Sequence, residues 1–141
     1  MQKLGISLFV IMLCCIIFSC NKEVEEQHSE KFLLLTNHTW LSDSLLANQE
    51  EAGGFGQALF AFSGETIFND DGTGTVGKYV GTWAFLEDET QIRIIADSLP
   101  GAVIAFIREL TEQSFKIEAG FLTQTTPPEY LDVRMTFKKK E

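Results

Sequence analysis

Cysteine is scarce: the 141-residue chain has three, Cys14, Cys15 and Cys20, all within its first twenty residues. Residues 21–141 therefore hold no disulfide, no thiol nucleophile and no thiolate metal ligand. Histidine is scarcer still, with His28 in a polar stretch and His38 ahead of the first apolar alternation. His38 has no Cys, second His or clear Asp beside it, so a three-ligand zinc site or a Ser-His-Asp relay would have to recruit distant carboxylates. A polar residue at strand entry is the simpler account of it. Positive charge is in deficit, 11 Lys and Arg against 20 Asp and Glu for a formal charge of −9. Such a polyanion repels phosphate backbones and anionic lipid, which disfavours nucleic-acid binding and electrostatic membrane docking and reads as a solubility device. The uncharged apolar run from Leu4 to Phe18 is short for a bilayer-spanning helix.

What is present begins with that run. Lys3, the apolar stretch and then Ile17-Phe18-Ser19-Cys20 have the order of a secretory signal: a basic start, a brief apolar core and a small residue before the break. With cysteine directly after Ser19, the segment resembles a bacterial lipoprotein signal, from which it departs in Phe18. The resemblance implies a signal peptide at 1–19 and lipidation of Cys20 as the mature N-terminus. A plain transmembrane anchor or an unlipidated cleaved signal are the alternatives. Each buried CH₂ of an acyl chain contributes about 0.8 kcal/mol, so several chains on one cysteine would hold the protein to a membrane. Cleavage would leave 122 residues, with 10 Lys and Arg against 20 Asp and Glu. The polar, acidic stretch from Asn21 to Glu30 predicts a flexible tether over 20–31 and a domain over 32–141. Its acidic cluster also resembles the surface-export signals of some Gram-negative lipoproteins. The expected location is the outer membrane, lipid-anchored on the periplasmic face, with display at the cell surface as the variant.

Beyond the tether the chain alternates apolar and polar residues in short runs broken by Gly, Asp and Pro clusters, which argues an antiparallel meander. Leu131, Val133, Met135 and Phe137 oppose Asp132, Arg134, Thr136 and Lys138; Phe115 and Ile117 oppose Lys116 and Glu118; Ile92 and Ile94 oppose Arg93. Strands are predicted at about 38–46, 57–62, 65–69, 73–77, 79–86, 91–96, 103–110 and 130–138, with 114–119 as a ninth unless two neighbours are one bent strand. Leu41 to Glu51 also fits a short amphipathic helix, and Val103 to Leu110 also fits a helical face, although its β-branched content and the turn Thr111-Glu112-Gln113 favour a strand. Ten phenylalanines lie beyond residue 20, and each contributes on the order of 1.5 to 3 kcal/mol when buried, so no cofactor is needed to account for folding.

Several motifs fail on their context. Gly72-Thr73-Gly74-Thr75-Val76-Gly77 spells GxGxxG but runs into the strand-forming Lys78 to Phe85 instead of opening a helix, so an Asp-Asp-Gly hairpin turn explains it. Setting Gly72 at the EF-hand glycine puts Ile67 at the first ligand position and Lys78 where a bidentate glutamate belongs. Ala61-Phe62-Ser63-Gly64 lacks the first glycine of a nucleophile elbow. Glu87-Asp88-Glu89, between two strands, reads as a solvated turn rather than paired catalytic carboxylates. Asn37-His38-Thr39 matches a glycosylation sequon, of little weight in a bacterial lipoprotein. No catalytic residue, metal ligand or cofactor is expected.

Thr39-Trp40-Leu41-Ser42-Asp43-Ser44-Leu45-Leu46, Phe68-Asn69-Asp70-Asp71-Gly72-Thr73-Gly74, Gly81-Thr82-Trp83-Ala84-Phe85, Glu109-Leu110-Thr111 and Arg134-Met135-Thr136-Phe137-Lys138 together resemble the lipocalin-like domains of Gram-negative lipoproteins. The likeness spans residues 36–138 and implies a small all-β, up-and-down barrel of about eight strands with no catalytic residues. It departs from lipocalins proper, whose GxW lies on the first strand: here Gly81-Thr82-Trp83 is in mid-chain. An eight-stranded barrel is just wide enough for its own side chains or for one small ligand. The first expectation is therefore a binding module for a small apolar ligand lined by Trp40, Phe60, Phe62, Trp83, Phe85 and Phe106, with the Gly53 to Gly56 loop as its mouth. The second is a non-enzymatic structural or interaction lipoprotein, in which those aromatics fill the barrel and loops face an envelope partner. A solid interior with an exposed apolar patch would favour the second.

Overall fold

Alternation in the sequence becomes the two faces of a closed wall. The computed structural model describes residues 27–123 and 125–141. The expected signal at 1–19, Cys20 and tether positions 21–26 lie outside the described residues. A helix, α1 (Glu30–Thr36), precedes the strands β1 (Thr39–Ala47), β2 (Glu50–Glu51), β3 (Glu65–Phe68), β4 (Thr73–Val76), β5 (Tyr79–Leu86), β6 (Gln91–Ala96), β7 (Val103–Leu110), β8 (Ser114–Leu122) and β9 (Tyr130–Lys139). Neighbours pair antiparallel in the order β2-β1-β3-β4-β5-β6-β7-β8-β9. β1 also pairs with β9 from Trp40↔Lys139 to Ala47↔Val133, which closes eight strands into an up-and-down barrel. Closure removes the open edges that would otherwise template pairing with another chain.

The turns show why closure works. Asn48 and Gln49 both have positive φ, the geometry of a two-residue hairpin loop whose twist suits its strands, so Leu41 to Glu51 forms β1 and the short return β2 in place of a helix. Between β3 and β4, Asp71 accepts from both the backbone N–H and the hydroxyl of Thr73 while Gly72 takes positive φ, so Asn69 to Gly72 is the expected hairpin turn. Further along these strands Gly74 and Gly81 face each other across the β4–β5 ladder. A Cβ on Gly74 would collide with the carbonyl of Ile67, and one on Gly81 with that of Ile95, so the sheet coils tightly here because neither position carries a side chain.

Two elements differ from the expectation. Residues 57–62 do not form a strand: the chain crosses the barrel end and closes in a 3-10 turn at Phe60–Phe62. Leu59 and Phe62 are both buried, and their i, i+3 spacing is the repeat that puts two side chains on one face of such a turn. The barrel keeps eight strands because 114–119, the expected ninth, belongs to the full strand β8. The second is α1, where the sequence predicts no helix. Ser29 caps it by accepting from the N–H of Phe32, and its own hydroxyl donates to the carboxylate of Glu89 in the β5–β6 turn, while Lys31 donates to the Glu89 carbonyl at 3.0 Å. The buried core lies within these described residues, from Leu35 to Phe137. A chain of residues 21–141 therefore keeps every residue of this core.

Gly81→Ala should lower the unfolding free energy by about 2 kcal/mol or more, because the clash is with backbone that cannot move aside. Urea denaturation of the variant beside the parent checks it; an unchanged midpoint would mean that the strands are not packed this closely.

Candidate functional site

The place to look in a small barrel is its interior, and here aromatic side chains stack through it. Trp40 enters from β1 fully buried, its indole N–H donating to the carbonyl of Leu35 at the end of α1 at 3.1 Å. Its ring lies 5.7 Å from Phe115 of β8, which stands edge-on to Phe68 at 5.8 Å and stacks on Phe137 at 5.6 Å. From Phe68 the contacts run edge-on to Trp83 at 5.5 Å and from there to Phe85 at 5.4 Å. The Trp83 indole N–H donates to the carbonyl of Asn69 at 3.0 Å. Both indoles thus have their polar atom satisfied by backbone, leaving apolar surface to fill the barrel.

Each end is stoppered. At one end α1 contributes the buried Leu35, whose carbonyl takes the Trp40 indole N–H, and sets Phe32 5.6 Å from Trp83. At the other, the 3-10 turn drives Phe62 inward against Tyr79 at 4.6 Å and Phe121 at 6.1 Å. Two voids among the described residues each measure about 10 Å³: one beneath Phe62, lined by Val76, Ile94, Ile117, Val133 and Met135 among others, and one beside Phe68 and Trp83. A space of that size is at the threshold for a single water molecule. Ligand pockets run to roughly 300–1,000 Å³. A larger hollow, about 420 Å³, is an open groove outside the barrel, between α1 and the β7–β8 turn, lined by Glu30, Leu33, Leu34, Asn37, His38 and Glu112.

Of the six residues expected to line a pocket, Trp40, Phe62 and Trp83 are buried in the interior, and Phe85 is partly buried against Trp83. Phe60 sits in the crossing segment, edge-on to Phe55 with the Lys78 ammonium 4.4 Å over its ring. Phe106 is on the outer wall, 48% exposed under the Arg108 guanidinium, and does not line the interior. The Gly53 to Gly56 loop lies at the end closed by the 3-10 turn, where the Ser63 hydroxyl donates to the Gly53 carbonyl at 2.7 Å. Central residues outside that set are Phe68, Phe115, Phe137 and Leu35; for Phe115 and Phe137 the alternation of their strands already marked the inward face.

Polar chemistry is sparse inside. Thr66 is the fully buried polar residue of the core among the described residues, and its hydroxyl has no partner. The Nδ1 of His38 is likewise buried without a partner, its ring stacked 5.7 Å from Trp40. Among the described residues no group of three His, Cys, Asp or Glu is placed to hold a metal ion, and no helix is long and apolar enough to cross a membrane. The Thr73 hydroxyl, aided by the Thr73 N–H, holds the Asp71 carboxyl below its ordinary range, and Ser114 with Lys116 does the same for Glu109. Asp71 is exposed and Glu109 half-buried, both near strand ends, where such bonds fix turns and ladders rather than equip a cleft. Compared with known protein families and with curated proteins, the chain finds no match.

Thr66→Val keeps the shape of the side chain and deletes an unpaired hydroxyl, so it should raise the unfolding free energy by about 1 kcal/mol. A lower midpoint in urea would show that the hydroxyl has a partner, such as an ordered water.

Proposed function

We propose that this chain is a non-catalytic, lipid-anchored protein of the bacterial cell envelope that acts through the outer surface of a filled barrel. The observation that carries the proposal is the interior: aromatic and aliphatic side chains occupy it, both ends are stoppered, and the two voids beneath Phe62 and beside Trp83 are about 10 Å³ each. Carriage of a small apolar ligand, the other expectation from the sequence, would need Leu59 and Phe62 to withdraw and their buried surface to be replaced. The eight-stranded up-and-down closure supports kinship with lipocalin-like lipoprotein domains, but a shared barrel does not bring a ligand with it. Outside, Val80 is 70% exposed, and Ile95, Ile104 and Phe106 also face solvent from β6 and β7. A cluster of apolar residues on the outer wall is the mark of a surface made to be covered. Anchoring through Cys20 at the outer membrane belongs to the same proposal and supplies the surface on which partners are met.

Native mass spectrometry of residues 21–141, repeated after extraction with organic solvent, should give the mass of the bare chain both times. A stoichiometric passenger that is lost when Phe62 or Trp83 is made charged would overturn the filled-barrel account in favour of a carrier. In cells, the full chain should partition into a detergent phase, and Cys20→Ser should send it to the aqueous phase; equal partitioning of the two would refute the anchor.

A further inference from the structure

The outer wall has two unlike halves. Where β7, β8, β9 and β1 adjoin, charges pair across strands: Glu118 receives Arg108 at 2.7 Å and Arg134 at 3.2 Å, Lys116 meets Glu109 at 3.1 Å and Lys138 meets Asp43 at 3.2 Å. Across β5 and β6 the outward positions are Val80, Thr82, Ala84, Arg93 and Ile95, and the alternation of exposed residues on β6 continues to Asp97 just past its end. Two charges break this otherwise uncharged face. Among the described residues, Arg93 is the one arginine of three without a carboxylate partner, and Asp97 meets no cation.

We propose that this face is a two-fold interface with a second copy of the chain, centred on Ile95. It rests on the outer wall being the working surface of the protein. Arg93 lies two residues before Ile95, about 7 Å away along the strand, and Asp97 two residues after it, at the start of the turn that the Ala96 carbonyl and Leu99 N–H close. A two-fold axis parallel to the sheet and perpendicular to β6 at Ile95 sets Arg93 of each copy against the partner's Asp97, twice over. On β5 the same axis brings Thr82, opposite Ile95 in the ladder, against its own equivalent and Val80 against the partner's Ala84. The face is thus self-complementary in charge and apolar at its centre, as an isologous contact requires. An axis parallel to the strands would instead stack like charges, Arg93 on Arg93 and Asp97 on Asp97.

The convex wall limits the contact to about three strands by six residues, roughly 15 Å by 20 Å, well short of the ~800 Å² per partner of a standard stable complex. The dimer is accordingly weak and reversible, suited to copies that share a membrane and so meet at high local concentration.

Sedimentation equilibrium of residues 21–141 at low salt, from about 10 µM to 1 mM, tests the proposal over the range where a small interface associates. The weight-average mass should climb from monomer toward dimer. Arg93→Glu or Asp97→Arg alone should each weaken association by about tenfold, since two attractions become two repulsions. The double variant R93E/D97R should recover it, a recovery that misfolding cannot imitate. A monomer throughout the range, or a dimer indifferent to the single exchanges, overturns the two-fold interface. In that event a bare chain by native mass spectrometry keeps the outer-wall account, with another protein as the occupant, whereas a bound passenger would overturn that account itself.

Discussion

Closing eight strands fixes the width of the space they enclose, and everything else in this protein answers to how that space is filled. A barrel of this size has room for its own side chains or for one small guest. Here Trp40, Phe68, Phe115 and Phe137 take the room, each essentially inaccessible to solvent. Their tilted, edge-on and stacked contacts at 5.6 to 5.8 Å extend across β1, β3, β8 and β9, and these strands include the β1–β9 seam that closes the wall. Core and closure are therefore one event: the residues that fill the barrel sit on the strands that must meet to form it.

The same constraint explains the stoppers. An open barrel end would expose the apolar floor beneath it, so α1 and the crossing segment cover the two ends with Leu35, Leu59 and Phe62. Each is tied to a neighbouring turn or strand by polar contacts at the surface: Ser29 and Lys31 to Glu89 on one side, Ser42 to the Gly64 N–H at 2.8 Å on the other. With the interior complete, the apolar residues left on β5, β6 and β7 have no internal use. Ala105, fully buried between exposed Ile104 and Phe106, makes the point on a single strand. The large residues face out and the small one faces in because the space inside is already occupied.

That inversion also marks where the sequence was legible and where it was not. β8 and β9 alternate with one face apolar and the other largely polar, and β6 does so as far as Arg93 before Ile95 places an apolar residue outside, so the alternation of these strands names their inward residues. In β7 both faces are apolar, so Val103, Ile104, Phe106 and Ile107 give no direction, and Phe106, expected inside, stands on the outer wall. Leu59, Phe60 and Phe62 have the composition of a strand, and only the crossing of the barrel end selects a 3-10 turn. α1 is a seven-residue helix whose local signal is a serine cap before Phe32, and what holds it is the packing of Phe32 on Trp83, the burial of Leu35 and the bond from the Trp40 indole to the Leu35 carbonyl. The barrel was thus visible through period and turn chemistry, whereas whether it holds a guest depends on volumes that no linear pattern encodes.

The most direct test of the filled interior is a crystal structure of the barrel under xenon pressure. Xenon enters apolar cavities that water leaves empty, including those of only about 150 Å³. No xenon should appear within the ring of strands. Ordered xenon beneath Phe62, among Val76, Ile94, Ile117 and Met135, would contradict the account, because it would reveal a space the barrel keeps for something else.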